Sequence, residues 1–197
     1  MAFHGQRLII QAAKKLQGED HYLVALAVGS ADTTAFGELI RRHQSQVRNF
    51  LRKLTRDASA ADDLAQECFL HAWDKLHTFS GRGSFIGWLL KVAYTTFLQS
   101  KRKSKRYAEV LDEVGYVAEQ NPGSYTQTTD EVSDLDKLLA VLTEEERAIL
   151  VMSYACGLSH REIGKATGLP VGTIKSVIFR CKEKIRTSFD IKDHQHD

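Results

Sequence analysis

Hydroxyl-bearing and cationic side chains share one side of a helical segment near the C-terminus. Apolar residues recur at helical spacing from Val171 to about Thr187, which predicts one buried face along this helix. The side chains assigned to its other faces are Val171, Thr173, Lys175, Ser176, Arg180 and Lys182. Small hydroxyls at the start of a helix can reach base edges, and the cations that follow can meet phosphates. This arrangement of side chains favours contact with duplex DNA.

A short helix and a tight turn precede this segment and would hold it in place. Ser159 and Glu162 have the S-x-x-E spacing of a capping box, so a helix is predicted to begin there. Gly168 allows a left-handed backbone, and Pro170 can open a new helix. Residues 159–186 are therefore typical of a helix-turn-helix whose second helix enters the major groove. A packed helical hairpin with a solvated basic face is the alternative interpretation.

Aromatic and basic side chains lie together in the middle of the chain. The glycines and serine between His77 and Gly83 predict a loop, and Ser84 can cap a helix running from Phe85 to about Lys101. Rings can stack bases and cations can hold phosphates, so this stretch suits single-stranded DNA. In the alternative interpretation, Phe85 and Trp88 belong to the hydrophobic core. The candidate DNA-binding residues of this stretch are Phe79, Ser80, Arg82, Ser84, Lys91, Tyr94, Thr95, Lys101 and Arg102.

The preceding helix, predicted from about Ser59 to Leu76, has an acidic side. Its predicted buried stripe consists of Leu64, Cys68, Ala72 and Leu76. Away from that stripe lie Asp63, Gln66, Glu67, Leu70 and Asp74. An acidic face that carries a leucine is often plain surface, but it is also suited to dock a basic protein partner.

Composition narrows the class of protein. The chain has 197 residues, of which 43% are hydrophobic, so it can form one large or two small domains. Its two prolines suit an all-α fold. The three cysteines are far apart and form no CxxC pair, which argues against zinc and disulfides and favours a reducing cytoplasm. We expect no catalytic residues, metal, cofactor or membrane contact, since no catalytic motif or membrane-length apolar run is found.

Two small helical domains joined by a flexible acidic linker are predicted. The helices expected outside the segments above are Gln6–Leu16 (or a simple tail), His21–Val28, Thr33–Thr55, one resuming near Glu131, and one capped by Thr143 and Glu146 that ends near Ala155. The predicted divisions are an N-terminal extension (1–19), a first domain (20–106), a linker (107–130), a helix-turn-helix domain (131–189) and a tail (190–197).

Three motifs, in order and spacing, resemble a bacterial RNA polymerase sigma factor of the extracytoplasmic-function (ECF) group, over about Asp20 to Arg186. DDLAQECFLHAW (Asp62–Trp73) is similar to that family's polymerase-binding helix. GSFIGWLLKVAYTTFLQSKRK (Gly83–Lys103) is similar to its promoter-melting segment. LTEEERAILVMSYACGLSHREIGKATGLPVGTIKS (Leu142–Ser176) is similar to its C-terminal domain.

The resemblance implies partners and roles for these residues. The acidic face would grip the clamp helices of the largest subunit of core RNA polymerase, and the C-terminal domain would meet the flap of the beta subunit. The loop 79–84 would receive an unstacked base, the helix after it would follow the non-template strand, and the C-terminal helix would read the minus-thirty-five duplex. Flipped bases bound by the protein would offset the unstacking cost of a few kcal/mol per base. An acidic linker would thread a basic channel of the polymerase, and an anti-sigma protein is an expected further partner.

Two positions depart from the family pattern. Tyr94 and Thr95 stand where many relatives carry Arg-Asn, so the minus-ten preference is expected to differ. Val177 stands where an arginine is common, so we expect weaker DNA binding and a salt slope lower by roughly 0.9 for each phosphate that is left without a cation. The alternative function is a stand-alone helix-turn-helix transcriptional regulator with an N-terminal dimerisation or ligand module. An enzyme acting on nucleic acid has little support, because the acidic residues are scattered.

Overall fold

The computed structural model describes residues 18–113 and 134–193, which form helices joined by short loops, with no β-strand among them. In the first range, α1 spans 18–29, followed by α2 (Thr33–Thr55), α3 (Ala58–Lys75), a short 3-10 helix (Leu76–Thr78) and α4 (Phe85–Glu113). In the second range are α5 (Asp134–Ala140), α6 (Glu144–Tyr154), α7 (His160–Thr167) and α8 (Val171–Asp193). The predicted all-α fold is confirmed. The predicted helix 6–16 and most of the predicted linker lie outside the described residues.

Local capping and apolar spacing explain where the helices of the first range begin and which faces they bury. The Asp32 carboxylate accepts hydrogen bonds from the backbone N–H groups of Thr34 and Ala35 at 2.8 and 3.1 Å, so α2 begins at its predicted residue. The buried residues of α2 include Leu39, Val47, Phe50, Leu51 and Leu54. They pack with Phe85 and Leu89 of α4 and the small side chains of α3 in one hydrophobic core. Among the described helices, none is apolar over a length that could cross a lipid bilayer.

Three predicted helix ends differ from the structure. Asp57, rather than Ser59, caps α3, because its carboxylate accepts from the Ala60 N–H at 2.9 Å. Helix α4 continues past Lys101 to Glu113, and α8 continues past Thr187 to Asp193. Neither extension contains glycine or proline, and a basic or acidic composition does not by itself end a helix. The first residues assigned to the linker, 107–113, are therefore helical.

Two capping boxes and two glycines shape the helix-turn-helix. The boxes predicted at Thr143 with Glu146 and at Ser159 with Glu162 are both present. Gly168 ends α7 in the left-handed conformation, with φ of +81°. A Cβ atom at Gly164 would lie 2.9 Å from the Leu169 carbonyl oxygen, so the turn can approach α7 only because this residue has no side chain.

Helices from the two described ranges pack against each other, α6 on α2 and α7 on α4. The buried Arg147 of α6 donates to the carbonyl oxygens of Leu139 and Leu142 at 3.1 Å and to that of Leu54 in α2 at 3.4 Å. At the edge of this contact, Lys53 Nζ lies 2.7 Å from Asp136 Oδ1. One buried cation thus joins the two halves through backbone acceptors.

Candidate polymerase and DNA interfaces

Helix α3 presents an acidic face with an apolar centre. Leu70 is 69% exposed, although leucine is usually buried. The predicted face residues Asp63, Gln66, Glu67 and Asp74 are exposed as well. The predicted stripe is confirmed on the opposite side, where Leu64, Cys68, Ala72 and Leu76 are buried. An apolar anchor surrounded by carboxylates is suited to a protein surface that carries cations.

Helix α8 separates its apolar and polar faces as predicted. Ile174, Ile178 and Cys181 are buried against α6 and α7, and Ile185 is half-buried. Of the candidate DNA-binding residues, Val171, Lys175, Ser176, Arg180 and Lys182 are exposed, and Thr173 is half-buried. The Ser176 hydroxyl donates to the Thr173 carbonyl oxygen at 2.9 Å. Lys182 Nζ lies 5.1 Å from the centre of the Tyr154 ring, which holds this cation at the edge of the face.

Two residues of α8 were assigned incorrectly or missed. Val177 is only 7% exposed, so the prediction that treated it as a vacant DNA contact is wrong: its side chain belongs to the core that α8 forms with α6 and α7. Phe179 was missed, although it is 66% exposed on the same side of α8 as Lys175 and Ser176. The sequence signal was available, because a phenylalanine that falls off the apolar stripe of an amphipathic helix has no core to enter.

Aromatic rings of α1 and α4 pack against the loop that precedes α4. The Phe79 ring stacks on His21 of α1, with 5.3 Å between centroids and 16° between planes. It also meets Phe85 and Trp88 edge-on, at 5.7 and 5.9 Å. Phe79, a candidate DNA-binding residue, is therefore half-buried. The alternative interpretation holds for Phe85, which is fully buried, while Trp88 is half-buried.

A cavity of about 350 Å³ lies beside this loop. It is lined by loop and α4 side chains and by two residues of α7, among them Ser80, Arg82, Trp88, Lys91, Glu162 and Lys165. Of the candidate DNA-binding residues, Ser80, Arg82 and Lys91 are exposed. The loop turns at Gly81 and Gly83, whose φ angles are +71° and +110°. Hydroxyls, cations and a ring edge around one cavity can accommodate a planar base and its phosphate.

The second half of the chain covers part of the predicted single-strand face. Ser84 caps α4 through the Gly87 N–H, as predicted, and its hydroxyl also donates to Glu162 of α7. Lys101 Nζ forms an ion pair with Glu144 of α6. Tyr94 is buried, and this burial, with the charges of Glu145 and Glu144, raises the pKa of its hydroxyl.

The remaining single-strand candidates, Thr95 and Arg102, stay accessible. Arg102 is exposed, and Thr95 is half-buried with its hydroxyl donating to the Lys91 carbonyl oxygen at 2.8 Å. Sequence reasoning did not identify Glu144 or Glu162 as residues at this face. The sequence predicts only a capping-box role for Glu162, because no local pattern indicates a contact between residues so far apart in the chain.

Glu162 is held as a carboxylate at this contact. Burial opposes its ionisation, but hydrogen bonds from Ser84 and Ser159 outweigh burial and lower the pKa of the Glu162 carboxyl.

The pKa values of the three thiols shift upward, since burial raises the pKa of Cys68 to about 12 and those of Cys156 and Cys181 to about 11. Across residues 18–113 and 134–193, no cluster of three or more His, Cys, Asp or Glu side chains is arranged to hold a metal ion.

Comparison with known proteins matches both halves of the chain to one family. Residues 39–107 match Sigma-70 region 2, and residues 133–185 match Sigma-70, region 4. The ECF RNA polymerase sigma factor RpoE of Cereibacter sphaeroides is 31% identical over 156 residues, 79% of this chain and 86% of that protein. The RNA polymerase sigma-H factor of Pseudomonas aeruginosa is 29% identical over 180 residues, 86% of this chain and 93% of that protein.

Solved structures agree on the fold. The sigma factor RpoE of Bartonella quintana, in complex with the anti-sigma factor NepR, superposes with a TM-score of 0.64 and 25% identity, covering 79% of this chain and 97% of its own. CnrH, in complex with the cytosolic domain of CnrY, superposes with a TM-score of 0.64 and 23% identity, covering 88% and 98%. The fold and the matches to both regions define a two-domain initiation factor of the Sigma-70 type. Within that type, the chain belongs to the ECF RNA polymerase sigma factors, which direct polymerase to promoters.

Proposed function

We propose that this sigma factor binds core RNA polymerase through the acidic face of α3 and reads its promoter with α4 and α8. The single observation that carries the proposal is Leu70, exposed by 69% at the centre of that acidic face. Exposed apolar side chains within a charged rim favour a protein partner. A stand-alone regulator, the alternative function, needs no such face, and the matches to both Sigma-70 regions do not favour it.

The polymerase partner is a surface with cations around an apolar pocket, which is what the clamp helices of the largest subunit would offer. Leu70 would fill the pocket, while Asp63 and Glu67 would pair with the cations. The C-terminal domain would meet the flap of the beta subunit. The factor would act in the cytoplasm, with the polymerase, through binding alone.

The promoter contacts divide between the two halves. Lys175, Ser176 and Arg180 of α8 are exposed on one side of a helix that can enter the major groove at the minus-thirty-five element. Phe179 lies on the same side, and its ring would contact thymine methyl groups, which are the apolar features of that groove.

Melting would use the cavity beside the loop 79–84. A base flipped from the minus-ten element would enter it between Trp88 and Arg82, and Lys91 would hold the adjacent phosphate. The linker would pass through the basic interior of the polymerase, and an anti-sigma protein would cover these faces. Recovery of core polymerase from the native host without any small second protein would count against that last partner.

Transcription in vitro tests the proposal directly. Purified core polymerase, the factor and a library of promoter fragments should give initiation on a subset of the fragments. Charge reversal in Asp63→Lys with Glu67→Lys should abolish it, whereas the charge-preserving pair Asp63→Glu with Glu67→Asp should retain it. If the charge-reversed variant initiates as well as the wild type, α3 is not the polymerase-binding element.

A further inference from the structure

We infer that His21 of α1 is a positioning residue for the loop 79–84, which it holds in the shape that receives a flipped base. This inference deepens the proposed function and rests on the proposed role of the loop in melting. Helix α1 precedes residues 39–107, the part of the chain that matches Sigma-70 region 2. None of its residues is among the predicted DNA-binding residues.

The His21 ring packs against the start and the turn of the loop. It stacks on the Phe79 ring, with 5.3 Å between centroids and 16° between planes. A Cβ atom at Gly81, where φ is +71°, would lie 3.9 Å from Cδ2 of the same imidazole. His21 therefore contacts the first residue of the loop and lies beside the glycine at which the loop turns.

A closed circuit of side chains holds this ring in place. Phe79 meets Phe85 of α4 at 5.7 Å between centroids, and Phe85 lies 5.4 Å from the His43 ring of α2. His43 Nε2 lies 2.8 Å from Asp20 Oδ2, and Asp20 directly precedes His21 in α1. Asp20, His43 and Phe85 are all buried. The circuit thus links α1, α2 and α4 to the loop and returns to α1.

Arg42 of α2 adds a second attachment at the start of α1. Its Nη1 atom lies 3.0 Å from Glu19 Oε2 and 3.5 Å from Asp20 Oδ1. These contacts involve the two residues before His21, so the backbone that carries the imidazole cannot shift without breaking them. The ring is therefore held on a rigid element, which a positioning residue needs.

A loop with two glycines requires support of this kind. Gly81 and Gly83 both have positive φ, and glycine loses more conformational freedom on ordering than any other residue. Phe79 and Trp88, whose rings are 5.9 Å apart, both line the cavity beside the loop. By fixing Phe79, His21 fixes one wall of this cavity before a base arrives. A preformed site binds more tightly than one that must first be ordered.

The experiment uses three variants of the full chain. His21→Ala removes the ring. His21→Phe keeps a flat ring at the same position, and it removes no hydrogen bond at Nε2, because this buried atom has no partner among the described residues. The matched control Tyr22→Ala removes a ring from the next position of α1, where the side chain is 65% exposed.

The first readout needs no DNA and measures hydrogen–deuterium exchange of the loop amides in the free factor. We expect exchange of residues 79–84 to be about threefold to tenfold faster in His21→Ala, the range that corresponds to the loss of one aromatic pair. Exchange in His21→Phe and Tyr22→Ala should stay within about twofold of the wild type.

The second readout is the affinity of the reconstituted holoenzyme for fluorescein-labelled non-template strands of a promoter that the transcription library yields. Each strand is intact or carries one abasic site in the minus-ten element. One abasic site should weaken wild-type binding and so mark the captured base. His21→Ala should bind the intact strand about threefold to tenfold more weakly, yet bind that abasic strand as the wild type does. His21→Phe should restore binding of the intact strand.

The two readouts separate the possible failures. If the wild type distinguishes intact from abasic strands but His21→Ala matches Tyr22→Ala in both readouts, the positioning role is overturned alone. Faster exchange with equal weakening on intact and abasic strands would also overturn it, because His21 would then have no specific effect on the base. If the wild type binds all strands equally while exchange in His21→Ala is faster, the proposed capture of a base fails, and His21 still orders the loop.

Discussion

Truncation of Leu70 should weaken binding to core polymerase without destabilising the factor. Leu70→Ala removes three carbon atoms from a side chain that is 69% exposed in the free protein. At about 0.8 kcal/mol per buried CH₂, scaled by that exposed fraction, full burial in the complex is worth about 1.7 kcal/mol, or roughly 15-fold in Kd. Alanine is a good helix former, so the free energy of unfolding should change by less than about 0.5 kcal/mol.

The assay is an equilibrium titration of fluorescently labelled factor with core polymerase, paired with chemical denaturation of the free factor. Val28→Ala is the matched control, since Val28 is an exposed aliphatic residue of α1 outside the acidic face. Its Kd should stay within about twofold of the wild type. If Leu70→Ala binds polymerase as tightly as the Val28 control does, the burial of Leu70 in the complex is refuted, and α3 would be ordinary acidic surface.

Three further predictions follow from individual side chains. Lys175→Ala should lower the salt slope of minus-thirty-five duplex binding by roughly 0.9, measured by fluorescence anisotropy over a range of salt concentrations, and an unchanged slope would remove Lys175 from the phosphate contacts. Arg147→Ala should lower the free energy of unfolding, measured by chemical denaturation, by about 2–3 kcal/mol, because the carbonyl oxygens of Leu54, Leu139 and Leu142 would lose their donor. The control Arg186→Ala, at an exposed ion pair, should lower it by less than about 1 kcal/mol. Since the pKa of Glu162 is lowered from its usual value of 4.5, its stabilising contribution should be full above that pH and should disappear as the pH falls through the lowered pKa. The difference in melting temperature between wild type and Glu162→Gln should therefore shrink below about pH 4.5, and a constant difference would contradict the assignment.

The parts of this fold that sequence could predict are those determined by neighbouring residues. The limits of α2, the capping boxes at Thr143 and Ser159 and the end of α7 at Gly168 all depend on residues within one helical turn, and all are confirmed. The polar face of α8 and the acidic face of α3 could also be predicted, because helical periodicity separates an apolar stripe from its surroundings.

Most of the failures involve contacts between distant residues or the absence of a stop signal. The exceptions are the start of α3, where Asp57 rather than Ser59 is the cap, and Phe179, whose exposure helical periodicity could have indicated. Val177 lies beside the apolar stripe, and only the packing of α8 on α6 and α7 determines that it is buried. Phe79 was predicted to bind DNA, but a ring of α1 stacks on it. The extension of α4 beyond its predicted end at Lys101 to Glu113 has a different cause, because the charged residues there change the composition without ending the helix. Composition predicted a linker there, and helix propensity was the better guide.

Glu162 explains how the two halves could separate while the helix-turn-helix stays folded. Its two carboxylate oxygens have different partners: Oε2 accepts from the hydroxyl and N–H of Ser159 at 2.7 and 3.0 Å, and Oε1 accepts from Ser84. Breaking the second set leaves the capping box of α7 intact, so α8 keeps its support. The Oε1 atom of Glu162 would then gain water, and the Ser84 hydroxyl would lose this acceptor. Separation of the halves would also require Arg147 to give up its buried hydrogen bond to the Leu54 carbonyl oxygen, and α6 and α7 to leave their packing on α2 and α4, so it costs more than the hydrogen bonds of Glu162.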